Sequence, residues 1–257
     1  QDIQNIYAFC RYGDDLGDEA PFSNNLRWKL LDCWEIDLNE AARDDWSGNP
    51  RHPILRAVQH TAKKYSIPLE PFWKLIQAFK MDQKITRYQT WEELREYCIH
   101  SADPVGHLFL YVYGHDDAEL RKISDYTCTA LQLANHWQDV ARDYSQNRIY
   151  VPIEDMKRFG YTMEMYQARL YNQQWKELMQ FQVERTQSWF DKGSPLVARV
   201  DQRLAVDLQM FTSGGEAVLR AIEKSKYNTW KKRPTVSKFK QIMMLLKAKS
   251  MWKKINQ

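Results

Sequence analysis

Apolar side chains recur at three- and four-residue spacing along nearly the whole chain, which is the period of helices that each bury one face. Ile3, Ile6, Tyr7 and Cys10 set the pattern at the start, and it predicts helices over 2–19, 24–44, 52–66, 69–80, 90–101, 103–113, 117–143, 153–158, 163–191, 196–225 and 235–255. The breaks fall on turn-forming residues, among them Asn49-Pro50, Ile67-Pro68, Ser145-Gln146-Asn147, Gly160 and Gly193-Ser194-Pro195. No stretch alternates with the two-residue period of a strand, so the expected class is all-α. Without an internal repeat, a low-complexity stretch or a Gly/Ser linker, the reading is one domain over 1–257. A helical pattern is already running at Gln1, so an N-terminal segment upstream is expected to be missing.

Composition narrows the class further. The 257 residues are 44% hydrophobic and 27% charged with only 9 Gly and 9 Pro, which excludes a disordered or collagen-like chain and leaves ample interior for a core. The longest apolar runs, such as Ile242 to Leu246, stop after about five residues where a spanning helix needs roughly 20, so no segment is expected to cross a bilayer. The first residues carry no basic-then-apolar leader pattern. Cys10, Cys33, Cys98 and Cys128 stand singly, without the close pairs of a zinc site, and read as reduced core thiols.

The net charge of +4 conceals an asymmetry, because residues 224–257 hold eleven Lys/Arg and no Asp or Glu, leaving 26 basic against 33 acidic residues elsewhere. Within that segment Phe239, Ile242, Met243, Leu246 and Trp252 recur near helical spacing, giving a basic amphipathic helix over 235–257. It either packs on the body with a solvated lysine face or lies on an anionic membrane surface. Nucleic acid is not an expected partner, since the rest of the chain is acidic and its candidate site is anionic.

Two clusters carry chemistry. Arg11-Tyr12-Gly13-Asp14-Asp15-Leu16-Gly17-Asp18-Glu19 ends the first helix, where Asp14 and Asp18 stack one turn apart and repel each other. In the long helix, Asn135, Asp139 and Asp143 follow at i, i+4, i+8, an oxygen-bearing stripe about 12 Å long. Such stripes suit Mg²⁺, which takes hard oxygen ligands and is commonly shared with substrate phosphates. The alternative is a pair of solvated acidic helix faces.

These residues, in this order, resemble the squalene and phytoene synthase family of head-to-head prenyl transferases over nearly the whole length. Tyr7-Ala8-Phe9-Cys10-Arg11 leading into Asp14-Asp15-Leu16-Gly17-Asp18-Glu19 is similar to the family's first aspartate-rich motif. His52-Pro53, the Phe79 to Asp82 stretch and Tyr97-Cys98 follow in family order. Asn135 to Asp143 with Arg148-Ile149-Tyr150-Val151-Pro152 resembles the second motif and its usual Gly-Arg-x-Tyr-x-Pro follower, with Asn147 in place of the glycine. The resemblance implies a single isoprenoid-synthase-type helical bundle with a central cavity. It implies Mg²⁺, two or three ions, on Asp14, Asp18, Asn135, Asp139 and Asp143, diphosphate contacts from Arg11, Gln132, Arg148 and Arg233, and a tyrosine, Tyr97, near the reacting carbons. Metal and arginine would stabilise a departing diphosphate, and the ten Trp, fourteen Tyr and ten Phe offer faces for a desolvated carbocation.

Departures point to a branch. The third segment reads Tyr97-Cys98-Ile99-His100-Ser101-Ala102-Asp103-Pro104-Val105-Gly106, where Asp103 can cap and Pro104 can open a helix, and Ser213-Gly214-Gly215 stands where several relatives carry a bulky aromatic. Both resemble the hydroxysqualene synthase branch of hopanoid biosynthesis, in which presqualene diphosphate and water give hydroxysqualene and diphosphate. His100, Ser101, Asp103 and the Gly pair would leave room and partners for one ordered water. No dinucleotide fingerprint is present, and NADPH is not expected. Condensation of two farnesyl diphosphates to presqualene diphosphate, squalene or dehydrosqualene is the alternative on the same residues, and a non-catalytic membrane-surface helical scaffold is the alternative of another class. The expected placement is cytoplasmic, with peripheral contact at the inner face of the cell membrane as the option the basic helix opens.

Overall fold

A computed structural model describes residues 1–18 and 22–237, the side chain of Asp18 excepted. The expected helix over 235–257 therefore lies almost wholly outside the described residues. Among the described residues there are eleven α-helices and one short 3₁₀ helix, and a single β-bridge joins Arg87 and Ile149. By contacts the chain divides into two compact units, residues 1–85 with 97–121, and residues 86–96 with those from 122 onward.

The first unit contains α1 (Asp2–Asp18), α2 (Asn24–Trp46), α3 (Pro53–Tyr65), α4 (Glu70–Met81), the latter part of α5 (Trp91–Ser101) and α6 (Asp103–Val112). Its core forms where the apolar stripes of α1 to α4 and α6 meet, with Phe9 stacked on Trp34 at 5.5 Å and edge-on to Phe72 at 5.2 Å. Two side-chain hydrogen bonds tie buried polar groups within it: Asn5 donates to Thr61 Oγ1 at 2.9 Å, and Trp46 Nε1 donates to the Ile67 carbonyl at 2.7 Å. Regular winding in α2 ends before Arg43, as the sequence suggests to within a residue or two, because Asp44, Asp45 and Trp46 turn left-handed at φ 51°, 55° and 61°. Gly48 is required beyond this turn, since a Cβ there would lie 1.6 Å from the Glu40 carbonyl oxygen.

The second unit contains α7 (Ala118–Ser145) from residue 122, α8 (Ile153–Arg158), α9 (Met163–Gln167), α10 (Gln173–Gly193), the 3₁₀ helix Ser194–Ala198 and α11 (Gln202–Lys224). Trp137, Trp175, Tyr161, Tyr166 and Phe190 fill its interior. A polar chain threads it: Trp137 Nε1 donates to Thr186 Oγ1 at 2.8 Å, Thr186 donates to the Gln182 carbonyl, and Gln182 and Arg185 both donate to Asp155.

Four expectations need correction. The predicted helix over 163–191 is two helices, parted at 168–172 where Arg169 is left-handed at φ 51°, and the one over 196–225 begins at Gln202, capped by Asp201 accepting from Arg203 and Leu204 N–H. Asp103 is the first residue of α6 rather than its cap, a position held by Ala102. All four cysteines are free, but Cys33 is exposed and is not a core thiol. Among the described residues no helix is long and apolar enough to cross a membrane.

Candidate active site

The first motif owes its placement to its glycines. Gly13 and Gly17 lie one turn apart on the α1 face that meets α4, where a Cβ on Gly13 would come within 2.3 Å of the Phe79 ring. Gln83 donates to the Gly17 carbonyl at 3.0 Å, and Arg27 donates to the same oxygen at 3.1 Å. Asp14 sits one residue, about 100°, further round the helix. Its carboxylate accepts from Arg11 at 3.1 Å, while the other guanidinium arm of Arg11 meets Asp15. Asp18 is the last residue of α1, one turn on from Asp14.

Tyr97 is buried on α5, and its hydroxyl donates to Asp82 Oδ2 at 3.1 Å from the C-terminal cap of α4. Sequence order alone had brought Asp82 into view; the pairing with Tyr97 is a finding of the structure. Nearby in sequence, the Ser101 hydroxyl is buried without a hydrogen-bond partner among the described residues, and Asp103 is buried as well. A cavity of about 970 Å³ in this unit is lined by Tyr12, Leu16, Trp34 and His52 rather than by Asp14.

On α7 the second motif divides cleanly by face. Leu133, Ala134, His136, Trp137, Gln138 and Val140 are buried, whereas Asn135 is exposed and Gln132, Asp139 and Asp143 are half-buried, so the oxygen stripe points away from the core. His136 is a packing residue: its ring stacks on Tyr150 at 3.6 Å, and burial, reinforced by the Arg148 charge, pushes its pKa down to about 3. It is neutral at physiological pH.

Arg233, reaching in from the segment after α11, grips this stripe. Its guanidinium makes a two-pronged ion pair with Asp139, one arm through Nε to Oδ1 and the other through Nη2 to Oδ2 at 2.9 Å, and Nη2 also donates to Gln138 Oε1 at 2.7 Å. The same Gln138 donates to the Pro234 carbonyl at 2.6 Å, anchoring the segment. Hydrogen bonding to Asp139 holds the Arg233 pKa above its ordinary value. Gln138 was missed by sequence reasoning, although a polar residue on the core face of α7 is the signal of such a network.

After α7 the chain turns at Asn147, which is left-handed at φ 61°, a conformation that glycine adopts freely and asparagine tolerates. Asparagine adds what glycine lacks: its Oδ1 accepts from Arg87 Nη2 at 2.8 Å, and Arg87 Nη1 also reaches the Asn147 carbonyl. Arg148 N–H donates to the Asp143 carbonyl at 2.9 Å, and Ile149 N–H to the Thr86 carbonyl at 2.9 Å, so the turn carrying Arg148 is fixed at both ends. Arg87 had no local signal in the sequence.

At Gly215, one member of the Gly pair expected to leave room for water, the space is filled: an added Cβ would lie 2.4 Å from the Phe190 ring and 2.9 Å from Leu131. The glycine serves close packing of α11.

The squalene/phytoene synthase family model matches residues 1–240. The chain belongs to the squalene/phytoene synthase family. It is 32% identical to the chloroplastic phytoene synthase of Daucus carota over 93% of this chain but 61% of that protein, and 29% identical to the phytoene synthase of Arthrospira platensis over 95% and 82%. Among solved structures, the squalene synthase HpnC of Alicyclobacillus acidocaldarius is 43% identical, with a TM-score of 0.82 over 88% of this chain and 84% of that one. A dehydrosqualene synthase, 24% identical, superposes with a TM-score of 0.83 over 99% and 87%, and shows the shared fold. The all-α isoprenoid-synthase fold expected from the sequence is therefore the observed one.

The chemistry of the donors in each unit is of the kind a divalent ion takes. In the second unit Asp139 and Asp143 offer carboxylates and Asn135 a carboxamide, and in the first unit Asp14 offers a carboxylate, all hard oxygen donors. Among the described residues no three His, Cys, Asp or Glu side chains converge as a self-sufficient metal cluster.

Proposed function

We propose that this protein ionises a prenyl diphosphate in squalene formation, most specifically converting presqualene diphosphate and water to hydroxysqualene and diphosphate. The observation that carries the reading is the α7 stripe: three oxygen-bearing side chains turned off the core, with an arginine clamped to the middle one. In this reading Asp14, Asp18, Asn135, Asp139 and Asp143 hold Mg²⁺, which when bound supplies Lewis-acid stabilisation of the leaving diphosphate. Arg11, Arg148 and Arg233 pair with phosphoryl oxygens, for which a planar guanidinium is suited, and Gln132 donates an amide hydrogen bond. Tyr97 commits its proton to Asp82 and keeps oxygen lone pairs that, in this reading, would stabilise positive charge developing on carbon.

Squalene formation, as against phytoene formation, draws support from the 43% identity to a squalene synthase against 32% and 29% to phytoene synthases. The buried Ser101 hydroxyl adds a polar atom with hydrogen-bonding capacity to spare in the segment where this chain departs from relatives. The sister condensation of farnesyl diphosphate is the second reading, favoured by the name of the 43% identical squalene synthase. Incubation with presqualene diphosphate or farnesyl diphosphate in ¹⁸O-water, with and without Mg²⁺ and NADPH, followed by mass analysis of the lipid extract, separates them. Labelled hydroxysqualene from presqualene diphosphate without NADPH is the expected product; an unlabelled hydrocarbon alone would reject the water quench.

A further inference from the structure

The segment that delivers Arg233 also builds a second feature. After α11 the chain forms a recess of about 580 Å³ whose lining includes Lys224, Lys226, Lys231, Lys232 and Arg233 and no acidic residue. Arg233 is neutralised by Asp139, whereas the four lysines make no ion pair among the described residues. Four ammonium groups around one concavity repel one another, and an anion inside it would relieve that repulsion.

The recess is a built one. Lys226 and Tyr227 are both left-handed, at φ 55° and 63°, a conformation non-glycine residues hold only when their surroundings impose it. Here Tyr171 donates to the Lys226 carbonyl at 2.8 Å and Trp175 Nε1 to the Tyr227 carbonyl at 3.0 Å. Lys231 N–H bonds Asn228 Oδ1 at 3.1 Å, and Trp230 is buried against Trp175 and Tyr166, each at 4.8 Å. The lysines thus stand on backbone pinned to the core of the second unit.

We propose that this recess receives the phosphate of an anionic phospholipid and seats the protein on a membrane surface. Two observations favour lipid over a soluble anion. The sequence onward from Lys224 has no acidic residue and interleaves its lysines with Phe239, Ile242, Met243, Leu246 and Trp252, a pairing of charge with apolar side chains suited to a bilayer interface. The prenyl chains of the proposed substrate also partition into lipid, an argument that rests on the function proposed above.

The test needs no turnover, so its outcome is independent of that function. The full chain is floated with phosphatidylcholine vesicles and with vesicles containing about 30% phosphatidylglycerol, at low and high salt. One variant combines Lys224→Gln, Lys226→Gln, Lys231→Gln and Lys232→Gln; a matched one combines Lys240→Gln, Lys247→Gln, Lys249→Gln and Lys253→Gln. Wild type is expected to bind only the anionic vesicles, less at high salt, and the recess variant to bind them on the order of 100-fold more weakly, a larger loss than the matched variant shows. A recess variant that loses no more affinity than the matched one overturns the proposal. So does wild type that ignores anionic vesicles, including the case in which it binds inorganic diphosphate instead.

Discussion

Replacing Gln138 with leucine isolates the contact that holds Arg233 against the stripe of Asn135, Asp139 and Asp143. Gln138 is only 6% exposed and makes two hydrogen bonds, one from Arg233 and one to the Pro234 carbonyl. Leucine fills nearly the same volume, so no cavity opens and the loss is polar. A hydrogen bond to a charged group contributes about 1.5–3 kcal/mol, and a buried carbonyl left unpaired costs about 1–3 kcal/mol, offset by the apolar surface leucine buries. The net expected destabilisation is about 2–4 kcal/mol, or about 5–10 °C in Tm for a chain of this size. The assay is urea unfolding at pH 7 of wild type, Gln138→Leu, Arg233→Met and the double variant. If Gln138 orients Arg233, the two substitutions are non-additive, with a coupling energy of about 1 kcal/mol or more. Additivity within about 0.4 kcal/mol would refute the orienting role, and an unchanged Tm for Gln138→Leu would refute the pairing itself.

The pKa of His136 is about 6.5 when unfolded and about 3 in the fold, so the stability it contributes is complete above pH 6.5 and lost as pH falls toward 3. Between pH 7 and 5 that loss is about 2 kcal/mol; His136→Phe, which keeps a ring against Tyr150, is expected to shrink the acid-dependent drop by that amount, and an unchanged drop would contradict the burial argument. At Asn147, glycine is expected to cost no more than about 1 kcal/mol and valine more than about 2 kcal/mol in chemical unfolding, because a β-branched residue resists φ 61°; equal effects would count against the left-handed turn. Asp155 is 3% exposed and receives two bonds from Arg185 at 2.8 and 3.0 Å, so Asp155→Asn is expected to cost about 3–5 kcal/mol. Asp155→Leu combined with Arg185→Met is expected to recover most of it, and a double variant as unstable as the single one would contradict that cause.

Local spacing made most of the helices legible, and with them the two aspartate-bearing stripes, because a helical period and a burial pattern are both written within one or two turns of chain. Where the reading failed, the decisive force was not local. The break between α9 and α10 contains no Gly or Pro; Arg169 accepts a left-handed backbone while its neighbours Leu170 and Asn172 are tied by hydrogen bonds around the turn. The start of α11 was marked by Asp201, a capping residue that competed with an apolar pattern beginning at Leu196. At the site, Asn135, Asp139 and Asp143 could be named from spacing, but the residues that organise their surroundings could not. Arg87 meets Asn147 across 60 positions and Arg233 meets Asp139 across 94. Gly215 reads in sequence as space and in the fold as packing, since the ring that fills it comes from α10.

The central claim is that the aspartate-bearing helices serve metal-dependent departure of diphosphate. It is tested most directly by measuring diphosphate release from presqualene diphosphate by wild type and Asp139→Asn, each with Mg²⁺ and with EDTA. The account predicts release by wild type with Mg²⁺, and a fall on the order of 100-fold or more on chelation or substitution while the helical circular dichroism is unchanged. Release that persists within about threefold in both cases would contradict it.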